Sequence, residues 1–178
     1  MKLAILGIDL AKSVFHLHGA HARGQVLRKR LSRAQWLLFI ANLPRCVVAM
    51  EACSGAHHWA REVTRLGHTA RLINPQFVKA FVKSNKNDRN DAEAICEATA
   101  RDSMRFVVVK TLAEEEAQEL HRARAQLLKN LNALANQMRG FLAEHGIVAA
   151  KGVGPLHRLL PEVLEHPALS ARNLHHSA

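Results

Sequence analysis

Two short apolar runs, each ending on an acidic residue, constrain this chain more than any other feature. LAILGIDL (residues 3–10) and CVVAME (residues 46–51) read as buried strands that close at Asp9 and Glu51. A carboxylate at the end of a buried strand is costly unless water, a partner or a metal ion takes it up. Residues 1–87 contain only three acids, Asp9, Glu51 and Glu62, against 14 Lys and Arg. Two of the three therefore end the two most apolar strands, and adjacent central strands would bring them together. A strand-end residue bonding a loop explains either one alone; the pair, in so acid-poor a segment, points to function.

The elements around these runs fix an order. VFHLHGAH and GQVLRKRL read as a hairpin turning near Gly24, so the chain opens with three sequential strands. Ser32 can cap a helix over RAQWLLFIANL, which Pro44 stops. After the strand ending at Glu51, AHHWAREVTRLG reads as a helix, TARLIN as a strand, PQFVKAFVKS and DAEAICEATARD as helices around a polar break, and RFVVV as a short strand. Three strands, helix, strand, helix, strand and then helices is the order of the ribonuclease-H-like α/β fold: a mixed sheet flanked by helices. Residues 112–145 differ. Leu120, Leu127, Leu134 and Phe141 recur every seven residues, with Leu131 and Met138 between them, which predicts one long coiled-coil-like helix stopped at Gly146. Arg124 interrupts the seam. The tail from Lys151 reads as short helices and turns, weakly held.

The formal charge of +10 is unevenly spread. Residues 88–178 hold 11 Lys and Arg against 12 acids, so the excess lies in the first half, as expected of a domain that meets nucleic acid. The three cysteines, Cys46, Cys53 and Cys96, form no CxxC pair and suit a reducing cytoplasm. No apolar run is long enough for a membrane span.

A second acidic cluster sits in KNDRNDAEAI. Asp88 and Asp91 are three apart and share one face of a helix. Helix capping explains this pair as well as metal binding does, and the two roles are compatible. Clustered carboxylates have a clear use on nucleic acid, because Mg²⁺ takes oxygen ligands and completes its shell with water and phosphate.

GIDLAKSVFHLHG, MEACSGAHHWAREVTRLGH and LINPQFVKAFVKSNKNDRNDAEAI, followed by the long helix, resemble in order the DEDD transposases of bacterial insertion sequences, relatives of the Piv invertase. The likeness runs from about residue 3 to residue 146. It implies a RuvC-like domain that binds Mg²⁺, or Mn²⁺ in its place, to cut and join DNA, with Asp9, Glu51, Asp88 and Asp91 as its four acids. Asn87 stands where the family commonly has Thr. The resemblance also implies a structured guide RNA and self-association through residues 112–146. It divides the chain into a catalytic domain at 1–111, the long helix at 112–146 and a short tail at 147–178. The family's second domain, with its serine, is expected to be absent, since Ser170 and Ser177 lie in no suitable context.

Lys12 and Ser13, close after Asp9, are candidates to touch a scissile phosphate. Arg28, Lys29, Arg30, Arg33, Lys83, Lys86 and Arg89 are further candidates for nucleic-acid contact. His16 and His18 share a strand face and read as solvated, while His57 and His58 read as helix-surface residues. Cys53 reads as a packing residue, and Phe77 and Phe81, four apart, as core. Three other readings compete. An actin-like kinase needs a second lobe and a Gly-rich phosphate loop that this sequence lacks. A junction resolvase shares the fold and the metal chemistry. A non-catalytic module that binds nucleic acid and dimerises needs no converging acids.

Overall fold

The computed structural model describes residues 3–21, 26–82 and 88–165. It divides into two compact units, Met1–Thr111 and Leu112–Ala178. The first is a six-stranded mixed sheet flanked by helices, as in the ribonuclease-H-like fold. Strands β1 (Leu3–Leu10), β2 (Val14–His21) and β3 (Val26–Ser32) form the antiparallel meander. Strands β4 (Val47–Glu51) and β5 (Thr69–Ile73) join it in parallel, and β6 (Phe106–Val107) closes the edge antiparallel to β5. The spatial order is β3-β2-β1-β4-β5-β6, so the two acid-ending strands are neighbours.

Strand alternation separates two faces. On one, Leu6, Ile8, Phe15, Leu17, Val48, Met50 and Leu72 pack under α1 (Arg33–Ala41) and α2 (Ala56–Arg65). Helix α1 starts in a full capping box, in which the Ser32 hydroxyl accepts from the Gln35 N–H and the Gln35 side chain accepts from the Ser32 N–H. Phe15, Trp36 and Trp59 meet edge to face with centroids 5.2–6.3 Å apart. Buried His68 ties this layer together: its ring accepts from the Cys46 N–H and, with the proton on Nε2, donates to the Ile40 carbonyl. On the other face, Ala49 and Ile73 pack under Val78 of α3 (Pro75–Val78) and under Ala94, Ile95 and Ala98 of α4 (Asp88–Thr99).

Three expectations are corrected. The helix expected from Pro75 is one turn of α3 and a 3-10 turn over Lys79–Phe81; the backbone extends at Val82, where packing of Phe81 and Val82 overrides propensity. The strand expected over RFVVV pairs only at Phe106 and Val107. The tail, expected as short helices and turns weakly held, forms a helix that is packed down: α6 (Val153–Glu165) buries Leu156 against Ala135 and Leu142 of α5 (Leu112–Glu144). Helix α5 ends as expected, with Gly146 at φ 74°. Its heptad positions Leu120, Leu127, Leu134 and Phe141 are all exposed, because α6 covers a different side. Among the described residues, no helix is long and apolar enough to cross a membrane. Gly24, Pro167, Ser170 and Ser177 lie outside the described residues.

Candidate active site

The two strand-end acids are brought together by register. Strand β1 pairs β4 in parallel through Ile8 opposite Met50, and one residue further on stand Asp9 and Glu51. Neighbouring strands lie about 4.8 Å apart. Because Ile8 and Met50 point into the α1–α2 core, alternation turns both carboxylates to the α4 face. The same level runs across the whole sheet: Arg30, His16 and Asp9 on one side, then Glu51, Ile73 and Phe106. Cys53 reports the convergence electrically. Its thiol is pushed above the usual range by burial, then by the charge of Glu51, and further by that of Asp9. That direction disfavours the thiolate, which is the nucleophilic form.

Helix α4 reaches this level because β1 carries a glycine there. A Cβ on Gly7 would stand 2.7 Å from the Cys96 amide nitrogen and closer still to the Ala92 carbonyl. Only a residue without a side chain lets the helix backbone descend so far. Asp91, half-buried, falls on the stripe of α4 that continues through Ile95 and Ala98 into the core. Asp88 begins the helix on that stripe, and its side chain lies outside the described residues.

Sequence reasoning missed Glu93. Arg28 Nη2 donates to its carboxylate at 3.1 Å, and His18 Nδ1 lies 3.8 Å from it, so the acid-bearing helix is tied to β2 and β3. Glu93 stands between apolar neighbours in the sequence, with nothing to mark a partner 65 residues away. His16 and His18 are corrected accordingly: His18 is 7% exposed, because α4 covers the face that was expected to be solvated. His16 Nδ1 lies 4.0 Å from Asp9 Oδ2.

The expected basic cluster is split by the pleat. Arg28 and Arg30, opposite His18 and His16, share the acid face and line a groove of about 540 Å³ with those histidines and Ala92. Lys29, opposite Leu17, turns the other way, with its ammonium 4.8 Å from the Phe39 ring centre. Arg33 stacks over Phe15 and Trp59 at 5.7 and 5.6 Å. Lys12 and Ser13 are exposed in the turn after β1. Lys83 and Lys86 lie outside the described residues; Arg89 is in α4, with its side chain likewise outside them. His57, taken for a surface residue, accepts from the Lys110 N–H at 3.2 Å, while Arg61 donates to the Lys110 carbonyl at 2.9 Å.

Among the described residues, no group of three or more His, Cys, Asp or Glu is close enough to hold a metal ion. The carboxylates that register makes neighbours are Asp9 and Glu51 on adjacent strand ends, while Asp91 stands on the helix that covers their face. Such a set matches a hard cation that draws the rest of its shell from water and phosphate, and does not match a closed structural site.

The described family is that of the sequence likeness. A family model for IS110-type DEDD enzymes, described as "Transposase", matches residues 6–147. The chain is 51% identical over 152 residues to a "Probable family 20 transposase" of Pseudomonas aeruginosa, covering 85% of this chain and 45% of the relative. It is 48% identical over 175 residues to the "Transposase for insertion sequence element IS1328" of Yersinia enterocolitica, covering 97% and 52%. To the "Transposase for insertion sequence element IS1111A" of Coxiella burnetii it is 46% identical over 168 residues, covering 94% and 46%. The chain thus spans about half the length of the curated relatives it matches. On the extent of these matches, this chain belongs to the IS110-type DEDD transposase family.

Proposed function

We propose that this chain acts as the metal-dependent catalytic domain of an insertion-sequence transposase, cutting and transferring DNA strands. One observation carries the reading: Asp9 and Glu51 end neighbouring parallel strands on the face that α4 covers with Asp91. Asp9, Glu51, Asp88 and Asp91 would hold Mg²⁺, with Mn²⁺ as a substitute. Bound there, the cation would supply an activated water and stabilise the leaving oxygen in phosphodiester cleavage. The chain's own groups do the rest. The four carboxylates fix the cation at the strand ends. Arg30 and Lys12 hold the DNA backbone beside it, with Lys83, Lys86 and Arg89 extending the contact. Arg28, already paired with Glu93, contributes by keeping α4 in place. The excess of positive charge in residues 1–87 supports a polyanionic partner, and the family likeness supports a guide RNA in the full-length enzyme. The exposed heptad leucines of α5 support self-association through residues 112–146.

A Mn²⁺ titration of the chain beside Asp9→Asn and Asp91→Asn, with and without a short duplex, tests the reading. Binding is expected to be lost in both variants and strengthened by the duplex. Equal binding by all three proteins sinks the catalytic assignment. The second reading is then a self-associating nucleic-acid module without catalysis, favoured by the lack of a three-donor cluster among the described residues.

A further inference from the structure

Beyond Glu51, on the β5–β6 side of the sheet, the surface opens again. Val78 of α3 is drawn into the core against Ala49 and Ile73, and a one-turn helix then swings its neighbour Phe77 outward. Phe77 is 38% exposed, which corrects its expected place in the core. With Phe81 and Met104 it lines an open pocket of about 360 Å³, to which Gln76, Ser103 and Arg105 add polar edges. The Arg101 guanidinium stacks over the Phe81 ring at 5.7 Å, and that of Arg71 over Phe106 at 4.9 Å. Arg71, Arg101, Arg105 and Lys79 have no ion-pair partner among the described residues, unlike Arg28 and Arg65. Phe106, which follows Arg105 of the pocket rim, stands level with Ile73 and Glu51, about two strand spacings (on the order of 10 Å) from Glu51.

From this geometry we infer that the Phe77–Phe81–Met104 pocket takes one unpaired base of a single-stranded DNA segment whose backbone runs past Arg71, Arg101 and Arg105. An exposed aromatic offers a stacking face for any base, and Gln76 and Ser103 offer hydrogen bonds to its edge. Guanidinium groups stacked on rings keep their donor edges turned outward for phosphate. Arg105 at the pocket edge and Arg101 over the Phe81 ring, neither with an ion-pair partner among the described residues, fit a polyanion with apolar faces better than an apolar peptide. The inference rests on the reading of the chain as one that acts on DNA.

A short single-stranded DNA carrying one 2-aminopurine, titrated into the full chain without divalent cation, tests it. Quenching of the probe is expected, with Phe77→Ala weakening binding roughly ten-fold, the order of one base–aromatic stack. Arg105→Ala, at an exposed position, should lower the salt slope by about 0.7, as for one phosphate of a single strand. An abasic probe should bind wild type as weakly as the intact probe binds Phe77→Ala. Equal binding of intact and abasic probes, or no effect of either variant, overturns the assignment. So does tighter binding of the same sequence as RNA, or a change of oligomeric state in Phe77→Ala, which would mean that a second copy covers the pocket. Asp9→Asn is expected to bind the probe like wild type. A parallel loss there would put the probe at the acids and overturn the pocket. Failure of the Mn²⁺ titration, with probe binding intact, would sink the catalytic reading alone.

Discussion

The two faces of the sheet differ in how closely their helices approach. Under α1 and α2 the contacts are large and apolar: Phe15, Trp36 and Ile40 are fully buried and the rings interlock. Under α4 a close backbone approach is added to the apolar packing: a Cβ on Gly7 would meet the Ala92 carbonyl, and Ala49, Ala94 and Ala98 lie among Ile73, Val78 and Ile95. The first face gains stability from buried area. The second adds small residues, so that the α4 backbone comes down onto the sheet at Gly7. On the proposed function, the acids and the close helix approach share one side of the sheet, and the interlocked aromatic rings lie on the other.

The strongest way to break this comparison is Trp36→Ala. Loss of a fully buried aromatic should cost about 3–5 kcal/mol in urea unfolding, with Mn²⁺ affinity unchanged in the fraction that stays folded. A loss of metal binding in that folded fraction would mean that the faces are not separable.

Gly7→Ala should act the other way round. Overpacking against the Ala92 carbonyl should cost about 1–3 kcal/mol, and displacing the helix proposed to carry Asp91 as a ligand should weaken Mn²⁺ binding by about ten-fold or more. The tryptophan fluorescence of the opposite face should be retained. A metal affinity equal to wild type would show that α4 need not sit so close.

Cys53 sharpens the acidic side. Its raised pKa keeps the thiol protonated at pH 8, so alkylation should be slow and should accelerate as pH rises through the shifted value. Neutralising a nearby carboxylate lowers that pKa, so Glu51→Gln should speed alkylation a few-fold at fixed pH, and Asp9→Asn by less. Identical rates in the three proteins would mean that the two carboxylates do not converge on this sulfur.

Glu93→Gln should have the smallest effect. Its partner Arg28 is 66% exposed, so solvent screening holds the pair to under about 1 kcal/mol. A cost comparable to that of Trp36→Ala would show that ion pairs, and not small contacts, secure the α4 face.

Much of the sheet was readable in advance because strand pattern and capping are local. The apolar runs ended at Asp9 and Glu51, Ser32 capped its helix, and Gly146 closed α5. Propensity overran at Pro75–Phe81, where packing of Phe81 and Val82 cut a helix to one turn. The basic cluster at 28–33 was visible as charge. Its division into Arg28 and Arg30 on one face, with Lys29 on the other, depends on pairing with β2. Glu93 and His68 were invisible for the same reason: their partners lie 65 and 28 residues away.

What the sequence determined by itself is the order of elements and the family, because period, turn chemistry and motif spacing are written along the chain. What only the tertiary structure decided is which side each residue serves. Register set Asp9 beside Glu51, the missing side chain of Gly7 set the depth of α4, and α6 chose which side of α5 to leave bare. Each of these depends on which backbones can approach one another, and that distance is fixed only when the layers close.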